Sequence, residues 1–166
     1  MNHLATSKED ILAASRDLIK ENGWAAVSIR AVASRCSVSA GTIYNYYESK
    51  ADLLSDTIES IWHEIFFHPE DEQVFHDVES CISWIYERLE YGNRQFPGFF
   101  SLHSFGFMRD EKTSGKKRMM KTWGHILNGL CEVLGNDPKV RADVFDQEFT
   151  EKKFADILFS LILVSM

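Results

Sequence analysis

The stretch SIRAVASRCSVSAGTIYNYY, residues 28–47, decides how this chain folds. Ser28 is placed to cap a short helix over Ile29–Arg35 that buries Ile29, Val32 and Ala33. Cys36-Ser37-Val38 leaves room only for a tight turn, and Ser39 is placed to cap the next helix, through about Tyr47. Two short helices joined by a three-residue turn form the helix-turn-helix pattern. Upstream, Ser7 with Asp10 three residues on predicts a capping box, and Ile11, Ala14, Leu18 and Ile19 share one face of the helix that follows. Asn22-Gly23 ends it. Downstream, Ser49 with Asp52 opens a fourth helix that runs to about Phe67.

The third helix carries the chemistry. Ile43 and Tyr47, four apart, pack inward, which leaves Ala40, Gly41, Thr42, Tyr44, Asn45 and Tyr46 on the leading end and flanks. A helix entering the major groove leads with its N-terminal end, where small residues allow close backbone approach. Thr42 suits a base edge or a thymine methyl, and Asn45 a base edge or a phosphate. Tyr44 and Tyr46 carry hydroxyls on rigid rings, suited to flanking phosphates. Lys50 follows the Ser49 cap at a first helical position, where the dipole disfavours a cation unless an anion docks. Ser28 and Arg30, opening the second helix, can hold a phosphate in the same manner.

Charge divides the chain the same way. Its formal net charge is −7. Residues 1–50 hold six Lys+Arg against five Asp+Glu, whereas residues 51–166 hold twelve against twenty and all 12 Phe. Only the head can approach a polyanion. The reading is therefore all-α: a helix-turn-helix head, 1–47, and a larger helical body, 48–166. Strand alternation is absent, and Pro69, Pro97 and Pro138 fall between helical patterns.

In the body, HPEDEQ (68–73) reads as a polar break, followed by a long helix with Val74, Val78, Cys81, Ile82, Ile85 and Leu89 on its apolar side. QFPG (95–98) stops it; FFSLHSFGFM (99–108) reads as a short irregular buried helix and RDEKTSGKKR (109–118) as a solvated connection. Another helix carries Met119, Trp123, Ile126, Leu127, Leu130, Val133 and Leu134 and ends at Gly135-Asn136-Asp137-Pro138; the last begins near Thr150. The basic run KKRMMK (116–121) reads as a solvated face.

From Gly23 to Leu54 the sequence resembles the signature of TetR-type transcriptional repressors. The matching pieces are Gly23, Ser28-Ile29-Arg30, Val32-Ala33, Val38-Ser39, Gly41-Thr42-Ile43-Tyr44, Tyr46-Tyr47 and Ser49-Lys50 before Leu53-Leu54. Cys36 stands where a small Ala or Gly is usual, and Tyr47 where Phe is commoner. The resemblance implies a homodimer whose heads bind a palindromic double-stranded DNA operator and release it when a small molecule enters the body. It places phosphate contacts on Ser28, Tyr44, Tyr46 and Lys50, and base-side contacts on Arg30, Ala40, Gly41, Thr42 and Asn45, beside the Ser39 cap.

Trp84, Phe99, Phe100, His103, Phe107 and Trp123 are candidates to line an apolar pocket for that inducer, although aromatics at helical spacing also build plain core. No cofactor or metal is expected: His63, His68 and His76 lack ligand spacing, and His125 and Cys131 have no orienting acid nearby. Nothing supplies a paired acid and base, an activated nucleophile or a phosphate loop, so the reading is not an enzyme. The alternative is an acidic helical protein that binds a small molecule or partner helix without reading DNA. Three scattered cysteines (Cys36, Cys81, Cys131) and no apolar leader fit a cytoplasmic protein with no membrane anchor. The C-terminal KKFADILFSLILVSM is apolar on nearly every face and runs to Met166 without a capping signal. In the resembled family the last two body helices form a four-helix dimer interface, and one clear candidate is found here. The resemblance therefore implies either a reduced interface or, as the preferred reading, a final helix beyond the sequence.

Overall fold

The structure, a computed structural model, describes residues 6–67, 76–100 and 114–165, with the backbone alone for 114–122 and 163. Among these residues it is all-helical. The helices are α1 (Lys8–Asn22), α2 (Ile29–Arg35), α3 (Ala40–Tyr44), α4 (Lys50–Phe66), α5 (Val78–Gln95), α6 (Ser114–Asn136) and α7 (Glu151–Val164), with a 3-10 turn at Trp24–Ala26.

The caps fall where side-chain chemistry puts them. The amide of Asp10 donates to Ser7 Oγ (3.1 Å) and that of Ser7 to Asp10 Oδ2 (2.7 Å), completing the capping box. Gly23 closes α1 at φ 76°, a conformation open to glycine, with its N–H on the Ile19 carbonyl (2.9 Å). Ser28, Ser39 and Ser49 cap α2, α3 and α4. The turn after α2 closes through Ser37, at φ 55°, as Val38 N–H reaches back to the Ala33 carbonyl (2.9 Å). The third helix is shorter than its sequence suggests. It ends at Tyr44, and the amides of Tyr46 and Tyr47 both close on the Ile43 carbonyl (3.0 and 3.1 Å), which turns the chain toward Ser49.

Further on, α6 begins at Ser114, inside the stretch expected to be a solvated connection up to residue 118. Lys and Arg are good helix formers, so one glycine, Gly115, does not prevent the long amphipathic helix from extending N-terminally. The expected polar break at 68–73, Val74, and the irregular helix at 99–108 beyond Phe100 lie outside the described residues.

One continuous core joins head and body. Ile11, Ile19, Val32, Ile43 and Tyr47 fill the head, and Leu53, Ile61, Ile65, Ile85, Leu89 and Leu130 fill the body. Helix α4 packs on α1, α5 and α6, and α7 packs on α6. Ion pairs fasten α1 to α4: Lys8 to the buried Asp56 (2.6 Å), and Arg16 (3.1 Å) and Lys20 (2.7 Å) to Glu64. The α7 helix buries Ala155, Phe159 and Ile162 but leaves Ile157, Leu161 and Val164 exposed by 50%, 62% and 85%.

A carboxylate latch ties the start of α5 to the loop after α6. Asp77 caps α5 through the Ser80 amide (2.8 Å) and holds the Lys139 ammonium (2.9 Å), while Asp137 accepts from the amides of Val78 (2.9 Å) and Lys139 (2.8 Å). The Ser80 amide, then the Lys139 ammonium, hold the Asp77 carboxyl well below the usual carboxylate range. A carboxyl depressed on folding stabilises fully above its ordinary range and loses that contribution as pH falls below about 4. Asp77→Asn should therefore lower the urea midpoint at pH 7, and its deficit against wild type should shrink progressively toward pH 2.

Candidate nucleic-acid interface

The head separates its residues cleanly. Ile29, Val32, Ala33, Ile43 and Tyr47 are buried, whereas all ten residues read as DNA contacts reach the surface. Ser28, Ala40 and Thr42 are half-buried; Arg30, Ser39, Gly41, Tyr44, Asn45, Tyr46 and Lys50 are exposed.

Three serine-capped helix starts supply much of this surface. Ser28 Oγ accepts from the Ala31 amide (3.1 Å), which keeps its own O–H available to donate. Ser39 Oγ accepts from the Thr42 amide (3.1 Å) and shares a hydrogen bond with Thr42 Oγ1 (3.0 Å), so the two hydroxyls hold each other at the leading end of α3. Ser49 Oγ accepts from the Asp52 amide (3.1 Å) and donates to the Asp52 carboxylate (2.9 Å). Lys50 is indeed the first residue of α4. Asp52 lies in the same turn, where its negative charge suits the dipole and offsets the misplaced cation. Among the described residues neither Lys50 nor Arg30 has a carboxylate partner, whereas Arg35 on the far end of α2 is held by Glu21.

The three tyrosines have three different roles. Tyr47 is core, 4% exposed, with the Lys8 ammonium 5.6 Å from its ring centroid. Tyr44 is 56% exposed, and among the described residues its hydroxyl has no partner. Tyr46 is exposed along its ring, but its hydroxyl donates to the Thr6 carbonyl (2.6 Å), pinning the chain that leads into α1. That contact spans forty positions of sequence, and nothing local signals it.

Gly41 sits on the leading end of α3, where an external partner would approach. Among the described residues, a Cβ built there would meet only Ser39 Oγ at 3.5 Å, an ordinary contact, so none of them requires glycine at this position. Glycine within a helix nevertheless costs about 0.5–1 kcal/mol relative to alanine. Its use is intelligible if something outside must approach the backbone. Gly41→Ala should accordingly raise stability by about 0.5–1 kcal/mol in a denaturant titration. The same variant should weaken DNA binding by about tenfold, the scale of a lost base-edge contact.

In the body, Trp84, Phe99, Phe100 and Trp123 are brought together through two α4 residues absent from the sequence-based candidates, Trp62 and Phe66. The Trp62 ring centroid lies 5.2 Å from Phe99, 5.6 Å from Phe100, 5.7 Å from Trp123 and 5.5 Å from Phe66. Phe66 in turn meets Trp84 at 5.8 Å. Their i, i+4 spacing, in phase with Ile58, Ile61 and Ile65, was the available signal. Trp24, in the 3-10 turn of the head, stacks on Phe99 (5.8 Å, 12° between planes). His103 and Phe107 lie outside the described residues. No group of three or more potential metal ligands occurs among the described residues, and none of their helices is long and apolar enough to cross a membrane.

Comparison with known proteins converges on this head. Residues 11–57 match the family described as bacterial regulatory proteins, tetR family. Over 48 residues the chain is 38% identical to the HTH-type transcriptional regulator UidR of Escherichia coli (strain K12), a match covering 29% of this chain and 24% of UidR. It is 45% identical over 47 residues to the HTH-type transcriptional repressor KstR of Rhodococcus jostii (strain RHA1), covering 28% of this chain and 22% of KstR. These matches span about a quarter of each relative's length. The fold extends further: a TetR transcription regulator from Haloarcula marismortui ATCC 43049 superposes with a TM-score of 0.70 at 20% identity, over 93% of this chain and 81% of that one. The transcriptional regulator FadR from Bacillus subtilis, in complex with stearoyl-CoA, gives 0.60 at 18% identity, over 96% and 84%. At these identities the structural likeness speaks for the fold alone. The head, residues 11–57, thus carries the signature of the bacterial regulatory proteins of the tetR family, and the helical body behind it shares its fold with the solved structures.

Proposed function

We propose that the chain is a DNA-binding transcriptional regulator of the cytoplasm, a repressor that a small, largely apolar inducer releases from a palindromic operator. The observation that carries this reading is the leading end of α3, where Ala40, Gly41 and Thr42 sit at the surface and none of the described residues asks for the glycine. Residues 1–47 are the reader, and residues 48–166 the regulatory and dimerisation body.

In this reading Thr42, Arg30 and Asn45 meet base edges, while Ser28, Ser39, Tyr44 and Lys50 position the head on phosphates. Tyr46 acts differently from Tyr44. Its donor is already committed to Thr6, so it positions the start of α1 and does not hold a phosphate through that proton. Binding measured by fluorescence anisotropy on DNA from around the protein's own gene should weaken linearly in log–log form as salt rises. Lys50→Ala should lower affinity on every sequence and reduce the salt slope by about one. Tyr44→Phe should lower affinity on every sequence, and Thr42→Ala should change sequence preference. Tyr46→Phe should keep the salt slope but lower thermal stability. A flat salt dependence, unchanged by Lys50→Ala, would defeat the reading.

A second copy of the chain is the proposed cover for the outer face of α7. Ile157, Leu161 and Val164 recur at four- and three-residue intervals and form an apolar stripe of the kind that pairs helices. Two heads held by such a pair would reach successive major grooves, about 34 Å apart. Leu161→Asp should shift the molecule to monomer in sedimentation velocity and weaken operator binding, with far-UV circular dichroism preserved.

A further inference from the structure

Resting on the proposal that the body takes a small ligand, we infer that Arg88 binds an anionic group, a carboxylate or a phosphate, on an otherwise apolar ligand. Helix α5 turns Cys81, Trp84, Ile85, Leu89 and Gly92 inward, all of them buried. Arg88 falls within the same arc, one turn after Trp84 and one turn before Gly92. Its helix neighbours at three and four positions are Trp84, Ile85, Tyr91 and Gly92, so no acid on α5 is placed to pair with it. The exposed acids Glu87 and Glu90 occupy the other side.

The guanidinium is left with an unanswered buried donor. Its Nε is buried and has no hydrogen-bond acceptor. Among the described residues no carboxylate pairs with it, whereas Arg16, Arg35, Arg94 and Arg141 each hold one. Among the described residues the Tyr91 ring meets it, with the guanidinium carbon 5.3 Å from the ring centroid. A ring against the guanidinium fixes its plane and leaves the N–H edge free, the arrangement that suits a two-pronged carboxylate or phosphate. Burying the Nε–H unpaired costs stability, and an anionic ligand would answer it. The apolar remainder of the ligand has a matching surface in the aromatic group of Trp84, Phe66, Trp62 and Phe100.

The position also suits regulation. The Tyr91 hydroxyl donates to Glu64 (3.4 Å), the carboxylate that holds Arg16 and Lys20 of α1. An anion on Arg88 therefore sits one side chain away from the seam between head and body.

Decanoate, decyl phosphate and decanol, each kept below its micellar concentration, test the assignment by titration of tryptophan fluorescence. One or both anions should bind at least about tenfold more tightly than decanol, the scale of a charge-assisted contact. The preferred anion tells a carboxylate site from a phosphate site. Arg88→Met and Arg88→Gln, checked for folding by circular dichroism, should bind all three probes alike. Equal affinity of the wild type for decanol, no binding of either anion, or an intact preference in the folded variants would overturn the assignment. The wild-type comparison stands by itself if a variant does not fold. Operator binding is measured separately: its absence would sink the regulator reading and leave the Arg88 result interpretable.

Discussion

Glu64 is the interaction on which the joining of head and body depends. Its carboxylate sits on α4, accepts the Arg16 and Lys20 cations of α1, and meets the Tyr91 hydroxyl of α5. Lys20 in turn lies over the Phe96 ring at 4.8 Å, and Trp24 stacks on Phe99 just beyond. These contacts clasp the C-terminal end of α1 between α4 and the turn that follows α5. Because α1 also packs on α2 and α4, its direction sets the direction of the whole helix-turn-helix. A half-buried charge cluster of this kind stabilises only while its partners stay in register, since a separated carboxylate would be left partly desolvated. Helix α4 and α1 are thus constrained to move together.

The same economy of charge governs the head. In the proposed function, a chain of net charge −7 cannot rely on a basic patch to hold DNA. It instead presents three serine-capped helix starts, whose free amides and dipoles favour anions at short range. Attraction of that kind falls off within a turn, so it acts only after shape has brought the surfaces together. The small residues opening α3 and the exposed Tyr44 ring fit a reader that works by close contact.

Much of this was legible in the sequence, for identifiable reasons. Capping serines act on amides two or three residues away, so Ser7, Ser28, Ser39 and Ser49 fix helix starts through local chemistry alone. Burial of Ile43 and Tyr47 followed from helical spacing even though α3 stops at Tyr44, because the tight turn still returns Tyr47 inward. What could not be read were contacts between distant positions. The Tyr46–Thr6 hydrogen bond, the Glu64 cluster and the meeting of Trp62 with Phe99 and Trp123 depend on how helices cross, and no local pattern encodes that. The start of α6 was misplaced for the opposite reason: a charged, glycine-bearing stretch looks like a loop until the helix it extends is known.

The aromatic contacts lead from the head toward the outer face of the body. Trp24 stacks on Phe99, Phe99 and Trp123 both meet Trp62, and Trp123 meets Phe159 on the inner face of α7 (5.5 Å). Rings packed edge to face have a few discrete arrangements and do not deform smoothly, because interiors are close-packed. A ligand that parts any of these rings must therefore shift its neighbours as units. In the proposed dimer, α7 faces the second copy, so one end of this chain of rings is held by the partner. In the proposed function, displacement at Phe99 would reach the other end, at Trp24 and α1, beside the proposed DNA-reading head. In the proposed function, the acidic body, kept from DNA by its charge, governs binding in this way through packing.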